Sequence, residues 1–187
     1  MVEAITNWDF SVLYFVQQNL RCGFLDSVTA FLSVVFNAGI AWFVICAVLA
    51  FFRKSRYASV VMLCAVLLAF LIGELAMKNV ICRVRPCNVD TDILLAVARP
   101  ESYSFPSGHT GSSFAAATAL FLCNKKLGIP ALILAFIVAL SRVYLFVHYP
   151  TDVMVGAVLG AACALAVYFL FRKFNLHQKI GACEKSA

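Results

Sequence analysis

Residues 58–77 read ASVVMLCAVLLAFLIGELAM, twenty residues with a single charge, Glu74. At about 1.5 Å of rise per residue such a helix is ~30 Å long, the thickness of a bilayer's hydrocarbon core. A soluble helix of this length would show a polar stripe at helical spacing, and none is present, so the stretch predicts a membrane-crossing helix. Outward from it lie three more apolar runs near bilayer length, Ala38–Phe52, Gly128–Val147 and Val153–Phe171. A fifth, Gly108–Cys123, is richer in Ser, Thr and Ala, the composition of a helix packed among other helices. The whole chain agrees: of 187 residues 63% are hydrophobic and 13% charged, with a mean hydropathy of +0.92. That excludes a soluble domain, and the length suits one domain over residues 1–187. The expected fold class is all-α, a polytopic membrane helical bundle with five transmembrane helices and a sixth left open.

The open sixth concerns residues 1–37. Leu25–Phe36 is apolar but stops at Asn37-Ala38-Gly39, so it either joins the next span as one tilted helix or breaks at the glycine. Residues Trp8–Leu20 set Trp8, Val12, Phe15 and Val16 against Asp9, Gln17, Gln18 and Asn19, an amphipathic pattern suited to the membrane interface. Glu3 and Asp9 precede any basic residue, unlike a cleaved signal peptide. Arg53, Lys54 and Arg56, then Lys125 and Lys126, then Arg172, Lys173, Lys179 and Lys185 fall on one side by parity, which predicts that side as cytoplasmic. These loops account for most of the net charge of +6, and no nucleic-acid motif accompanies them. The eight cysteines show no metal-ligand spacing; one disulfide among Cys22, Cys82 and Cys87 is left open.

Three polar stretches interrupt the opposite side. If the second span continues helically to Pro86, Lys78 and Arg85 are seven residues apart, nearly two turns, and project from one face. Two fixed cations suit a phosphate, although snorkelling at the interface explains this stretch equally well. Phe105-Pro106-Ser107-Gly108-His109 opens the fifth run: Ser107 can cap, Gly108 lets a ligand approach the backbone, and His109 can donate a proton. Alone, it reads better as an ordinary cap followed by an interfacial histidine. The third stretch, Ser141-Arg142 to His148-Tyr149-Pro150-Thr151-Asp152, puts an arginine inside an apolar run and a histidine four residues before an aspartate. An intramembrane arginine points to function, and Asp152 can hold the Nδ1 proton of His148 while Nε2 attacks. All three stretches share a face by a parity count that used other residues.

Lys78-x6-Arg85-Pro86, Pro106-Ser107-Gly108-His109 and Ser141-Arg142-x5-His148-x3-Asp152 resemble, in order and without substitution, the three signature motifs of the type 2 phosphatidic acid phosphatase superfamily. The resemblance covers residues 78–152 directly. It implies metal-independent hydrolysis of a lipid phosphate: His148 attacks phosphorus, Asp152 orients it, and His109 protonates the leaving group. Lys78, Arg85 and Arg142 would hold the phosphate oxygens with Ser107 and the Gly108 amide. No cofactor and no metal are implied. The expected partners are a lipid phosphate substrate and membrane lipids, with no nucleic acid; oligomeric state is unknown from sequence.

A vanadate-binding haloperoxidase shares such a cradle, but the hydrophobic spans oppose that reading. A non-catalytic lipid binder is opposed by the complete motifs. Glu74, one turn before Lys78, either pairs with it or faces water, and the Cys87–Phe105 loop reads as a solvated connector. Arg83, two residues from Arg85, is expected to point away on the helix. The expected substrate is undecaprenyl diphosphate, with phosphatidate or phosphatidylglycerophosphate as the alternative. The expected location is a bacterial cytoplasmic (inner) membrane, multi-pass, with the active site facing outward.

Overall fold

The computed structural model describes residues 2–176 and 180, and within them every regular element is helical. Basic Lys179 and Lys185 of the tail lie outside the described residues. Helix α1 spans Val2–Asn19, α2 Gly23–Val35, α3 Ile40–Phe51 and α4 Arg56–Phe70. A π-helical stretch, Leu71–Met77, prolongs α4 into the short α5, Lys78–Ile81, and a further turn, α6, covers Pro86–Val89. After a long loop come α7, Gly108–Cys123, α8, Lys125–Tyr144, and α9, Pro150–Lys173.

Helix α7 lies at the centre, packed against α4, α8 and α9. Its Gly111, Ala115, Ala116, Ala117 and Ala119 are all buried, which lets neighbouring backbones come close. Lipid tails are as apolar as leucine, so helices in a bilayer associate through such small-residue contacts. The partner surface on α9 is Gly156-x3-Gly160: a Cβ at Gly160 would run into the Gly111 carbonyl, and one at Gly156 would lie 2.8 Å from the Ser107 carbonyl. Trp42 donates to Ser113 Oγ at 2.9 Å and Ser59 to the Cys46 carbonyl at 2.8 Å, so α3 is tied to α7 and α4 by bonds that satisfy these two buried donors. The outside is the reverse of a soluble protein, with Phe24, Phe31, Phe51 and Val158 all strongly exposed.

Among the described residues three helical runs are long and apolar enough to cross a membrane, Arg53–Val89, Lys125–Tyr144 and Pro150–Lys173. Gly23–Val35 and Asn37–Phe51 pass together as a pair bent by 45°, which answers the question left at Asn37: the helix breaks there. Ala38 and Gly39 sit at φ of 49° and 75°, a left-handed conformation that ends one helix and restarts another. Helix α7, expected as a crossing, has only 16 residues. Enclosed by its neighbours, it has no need of lipid-matched length, and the crossings counted on length and composition reach up to four. This is a multi-pass membrane protein.

Helix α1 corrects the sequence reading of its faces. Asp9, expected on the polar face, is fully buried together with Leu13, whereas Trp8 and Phe15 are half or more exposed. The inward stripe is Asp9, Phe10, Leu13, Tyr14 and Gln17, which packs on residues 143–149: Phe10 meets Tyr149 edge-on at 5.4 Å and Gln17 donates to the Tyr144 carbonyl at 2.7 Å. Cys22, Cys82 and Cys87 are free thiols, so the disulfide left open is not formed.

Candidate active site

The helix directions alone assemble the site. Helices α5, α8 and the α4 extension end where α7 and α9 begin, so Lys78, Arg142, the Ser107–His109 turn and Asp152 gather at one end of the bundle. Arg53, Lys54 and Arg56, Lys125 and Lys126, and Arg172 and Lys173 gather at the other. Between the elements at the first end lies a cavity of about 580 Å³. Seven of the eight residues singled out from sequence line it: Lys78, Arg85, Ser107, Gly108, His109, Arg142 and His148. Asp152 stands behind His148, fully buried.

Lys78 and Arg85 reach the cavity by a route the sequence did not indicate. The helix stops at Ile81, Cys82 turns left-handed at φ 49°, and residues 82–85 run without helical bonding into α6. The two cations therefore do not share a helix face. The break brings Arg85 back toward the bundle, where its Nε donates to the Ser102 carbonyl at 2.7 Å and its Nη2 to Ser102 Oγ at 3.0 Å. Arg85 Nη1 donates to the Val147 carbonyl at 2.8 Å. Arg142, only 1% exposed, is held by Ser141 Oγ, at 2.8 Å from Nη2, and by Ser33 Oγ, at 2.9 Å from Nη1. Lys78 Nζ lies 2.8 Å from both oxygens of Glu74, so of the two roles open for Glu74 the structure shows pairing. The same carboxylate lies over Gly108, where a Cβ would collide with it.

Ser107 precedes α7 as expected but makes no side-chain cap; its Oγ accepts from Thr110 Oγ1 at 3.0 Å, and its amide donates to the Asp152 carbonyl at 3.2 Å. The second bond locks the start of α7 to the start of α9. The loop before α7 is more than a connector, since Ala96, Val97, Ala98, Pro100 and Ser102 line the cavity. Ser33 and Ser102 escaped sequence reasoning because a lone serine carries no spacing signal. Arg83 does not line the cavity, as expected of a residue that points away from Arg85, although no helix turns it; what the sequence did not indicate is its partners, Asp152 Oδ1 at 2.6 Å and Asp9 Oδ2 at 2.7 Å.

Two protonation states follow from the donors. His148 Nε2 lies 3.0 Å from Arg85 Nη1, and a guanidinium only donates, so Nε2 presents its lone pair and the proton is on Nδ1. Nδ1 faces Asp152 Oδ2 at 3.6 Å, too long for a hydrogen bond in this state, while Oδ2 accepts from the Tyr149 amide at 3.0 Å. Burial, reinforced by the Arg85 and Lys78 charges and opposed by Asp152, pushes the His148 pKa down to about 3, so the imidazole is neutral. His109 Nε2 lies 3.2 Å from the Ser33 carbonyl, which only accepts, so that nitrogen carries the hydrogen.

The cavity has two characters. Lys78, Arg85, Arg142 and the two histidines occupy one part, while Val34, Phe43, Val66, Ala69, Phe70 and Leu159 form an apolar wall. An anion attached to a hydrocarbon chain matches that division.

Known proteins resemble the chain in both sequence and shape. It is 33% identical over 138 residues to the undecaprenyl-diphosphatase of Sulfolobus acidocaldarius, covering 73% of this chain and 66% of that one. The chain spans less than two thirds of the length of the curated relatives it matches. The crystal structure of Aquifex aeolicus LpxE superposes with a TM-score of 0.76 and 25% identity over 85% of this chain and 93% of that chain. A transmembrane PAP2 type phosphatidylglycerolphosphate phosphatase from Bacillus subtilis gives 0.73 and 27% over 91% and 87%. The PAP2 superfamily model matches residues 59–176, which hold all three polar stretches and four of the helices around the cavity. The chain belongs to the PAP2 superfamily.

Proposed function

We propose that this protein removes the terminal phosphate of a lipid phosphate, with undecaprenyl diphosphate as its substrate and undecaprenyl phosphate and inorganic phosphate as products. The observation that carries the reading is a neutral histidine, His148, at the wall of a buried cavity ringed by Lys78, Arg85 and Arg142, with its Nε2 lone pair held by Arg85 Nη1, a donor that a phosphate oxygen can draw away. In phosphoryl transfer the protein mainly positions groups and stabilises charge on the transferring oxygens, and three cations with the Ser107 and Gly108 region at a helix start are suited to that work.

His148 Nε2 attacks phosphorus as the bond from phosphorus to the leaving oxygen breaks, and His109, taking a second proton when the phosphate anion binds, gives that proton to the leaving oxygen. Water then attacks phosphorus, giving its proton to the now neutral His109 as the bond from phosphorus to His148 Nε2 breaks, and phosphate departs. Asp152 takes up the charge that appears on the His148 ring, closing the 3.6 Å gap as it does so. The site faces the outer side of a bacterial cytoplasmic membrane, because the opposite end of the bundle carries the basic loops. Undecaprenyl diphosphate is favoured by the Sulfolobus relative, named for that substrate. The Bacillus structural neighbour favours a glycerophospholipid monophosphate as the second reading.

Phosphate release by purified protein, compared across isoprenyl diphosphates, phosphatidate and phosphatidylglycerophosphate in one detergent, tests this. The expected result is at least a tenfold higher kcat/KM for the isoprenyl diphosphate, about 1.4 kcal/mol in transition-state binding. Near-wild-type release by His148→Ala would refute the mechanism.

A further inference from the structure

The first turn of α9 is fastened to α1, far away in sequence, by one buried carboxylate. Asp9 Oδ1 accepts from the Thr151 amide at 3.0 Å, and Asp9 Oδ2 accepts from Thr151 Oγ1 at 2.6 Å and from Arg83 Nη2 at 2.7 Å. The other arm of Arg83, Nη1, donates to Thr151 Oγ1 at 2.8 Å and to Asp152 Oδ1 at 2.6 Å. The guanidinium also lies over the Tyr149 ring, 3.8 Å from its centre. Two carboxylates, both without solvent exposure, thus share one planar cation, and one of them backs His148.

A buried carboxylate is costly unless paired and hydrogen-bonded, and a helix bound for the membrane interface could carry a neutral residue here at less cost. Asp9 has a geometric consequence instead. A guanidinium with one carboxylate would swing to take both of its oxygens, bidentate. With Asp9 holding Nη2, Arg83 offers Asp152 only Nη1, at Oδ1, and Oδ2 remains directed toward His148 Nδ1. Asp9 also balances the Arg83 charge, which would otherwise compete with the imidazolium for Asp152.

We propose that Asp9 is a positioning residue of the reaction, acting through Arg83 on Asp152 and so on the nucleophilic nitrogen of His148; this rests on the phosphatase reading above. Asp9 does not line the cavity, so it governs the chemical step and not substrate capture.

Asp9→Asn keeps the shape and removes the charge. It lowers kcat tenfold or more with KM within twofold, and in an Arg83→Gln background it adds no further loss, because the pathway is already cut. A helix-capping role alone would lower the melting temperature and make the two losses additive, which would overturn the proposal, as would an unchanged kcat. The rate at which diethyl pyrocarbonate modifies His148, followed by peptide mass spectrometry, reads Nε2 nucleophilicity without turnover; it falls several-fold in Asp9→Asn, and an unchanged rate counts against the proposal. Wild-type phosphate release, and its loss in His148→Ala, tests the phosphatase reading separately. If Asp9→Asn does not fold, Arg83→Lys carries the test with the same expectation, since an ammonium keeps the charge but cannot bridge two carboxylates in this fork.

Discussion

Adding one methyl group at Gly160 tests whether the contact between α7 and α9 sets the spacing of the site. In Gly160→Ala the new carbon lies 2.8 Å from the Ala115 amide nitrogen and overlaps the Gly111 carbonyl. Both are backbone atoms of α7 and cannot rotate aside. Ordinary separations are about 3.5 Å or more, so the helix axes must part by on the order of 1 Å. Overpacking of this kind costs about 1–3 kcal/mol, read as a lower melting temperature in detergent. The same displacement acts at the reacting end, where α7 begins with Ser107, Gly108 and His109, α9 carries Asp152, and the 3.2 Å bond from the Ser107 amide to the Asp152 carbonyl joins them. Misplacement by about 1 Å costs on the order of 100-fold in turnover. Phosphate release should therefore fall about 100-fold, ~2.7 kcal/mol in the barrier, in protein that remains folded at the assay temperature. Val158→Ala, on the same helix but 70% exposed, should change neither. If Gly160→Ala melts like the wild type and keeps its turnover within threefold, the close contact does not set the geometry.

Three further outcomes are expected. His109→Ala slows release most for poor leaving groups, and equal slowing across a series of leaving-group pKa values would remove its role as the acid. Because the buried His148 holds its pKa near 3 against an ordinary 6.5, the unfolded chain gains a proton first on acidification. Stability from this group is complete above pH 6.5 and declines as the pH falls toward 3, by about 2 kcal/mol at pH 5; a wild type and a His148→Asn variant that lose stability equally between pH 7 and 5 would contradict this. In the proposed mechanism three cations supply the charge stabilisation that metal ions supply elsewhere, so activity should survive excess EDTA and be inhibited by vanadate; loss on chelation with rescue by Mg²⁺ would reject it.

The helical layout and the three polar stretches were legible because both depend on spacing along the chain. An apolar run of bilayer length and an arginine within one are one-dimensional facts. The break at Cys82 was not legible: Lys78-Asn79-Val80-Ile81 continues a helical pattern, and nothing in the residues before Pro86 announces a left-handed turn at a cysteine. Consequently the shared cavity of Lys78 and Arg85 was anticipated through a helix face that does not exist, and the partners of Arg83 behind that cavity were not anticipated at all. Ser33 and Ser102 matter through tertiary contact with arginines 109 and 17 residues away, which no local pattern encodes. For α1, the amphipathic pattern was legible, but not that its polar side turns into the bundle and buries a carboxylate, as Asp9 shows.

Arg85 and Arg142 are anchored by hydroxyls, carbonyls and an imidazole nitrogen, all of them neutral partners. Only Lys78 has a carboxylate beside it, so three cations and one anion leave the cavity wall with two positive charges in excess. An unoccupied wall of this kind carries an excess charge that a dianion cancels and a monoanion only halves. The phosphodiester headgroups of a surrounding bilayer bear one charge on their phosphate, whereas a terminal monoester or diphosphate approaches two or more near neutral pH. Under the proposed function, valence sorts the ligand before any contact with its carrier chain, and a site immersed in a vast excess of diesters stays free for the rare molecule that ends in a phosphate.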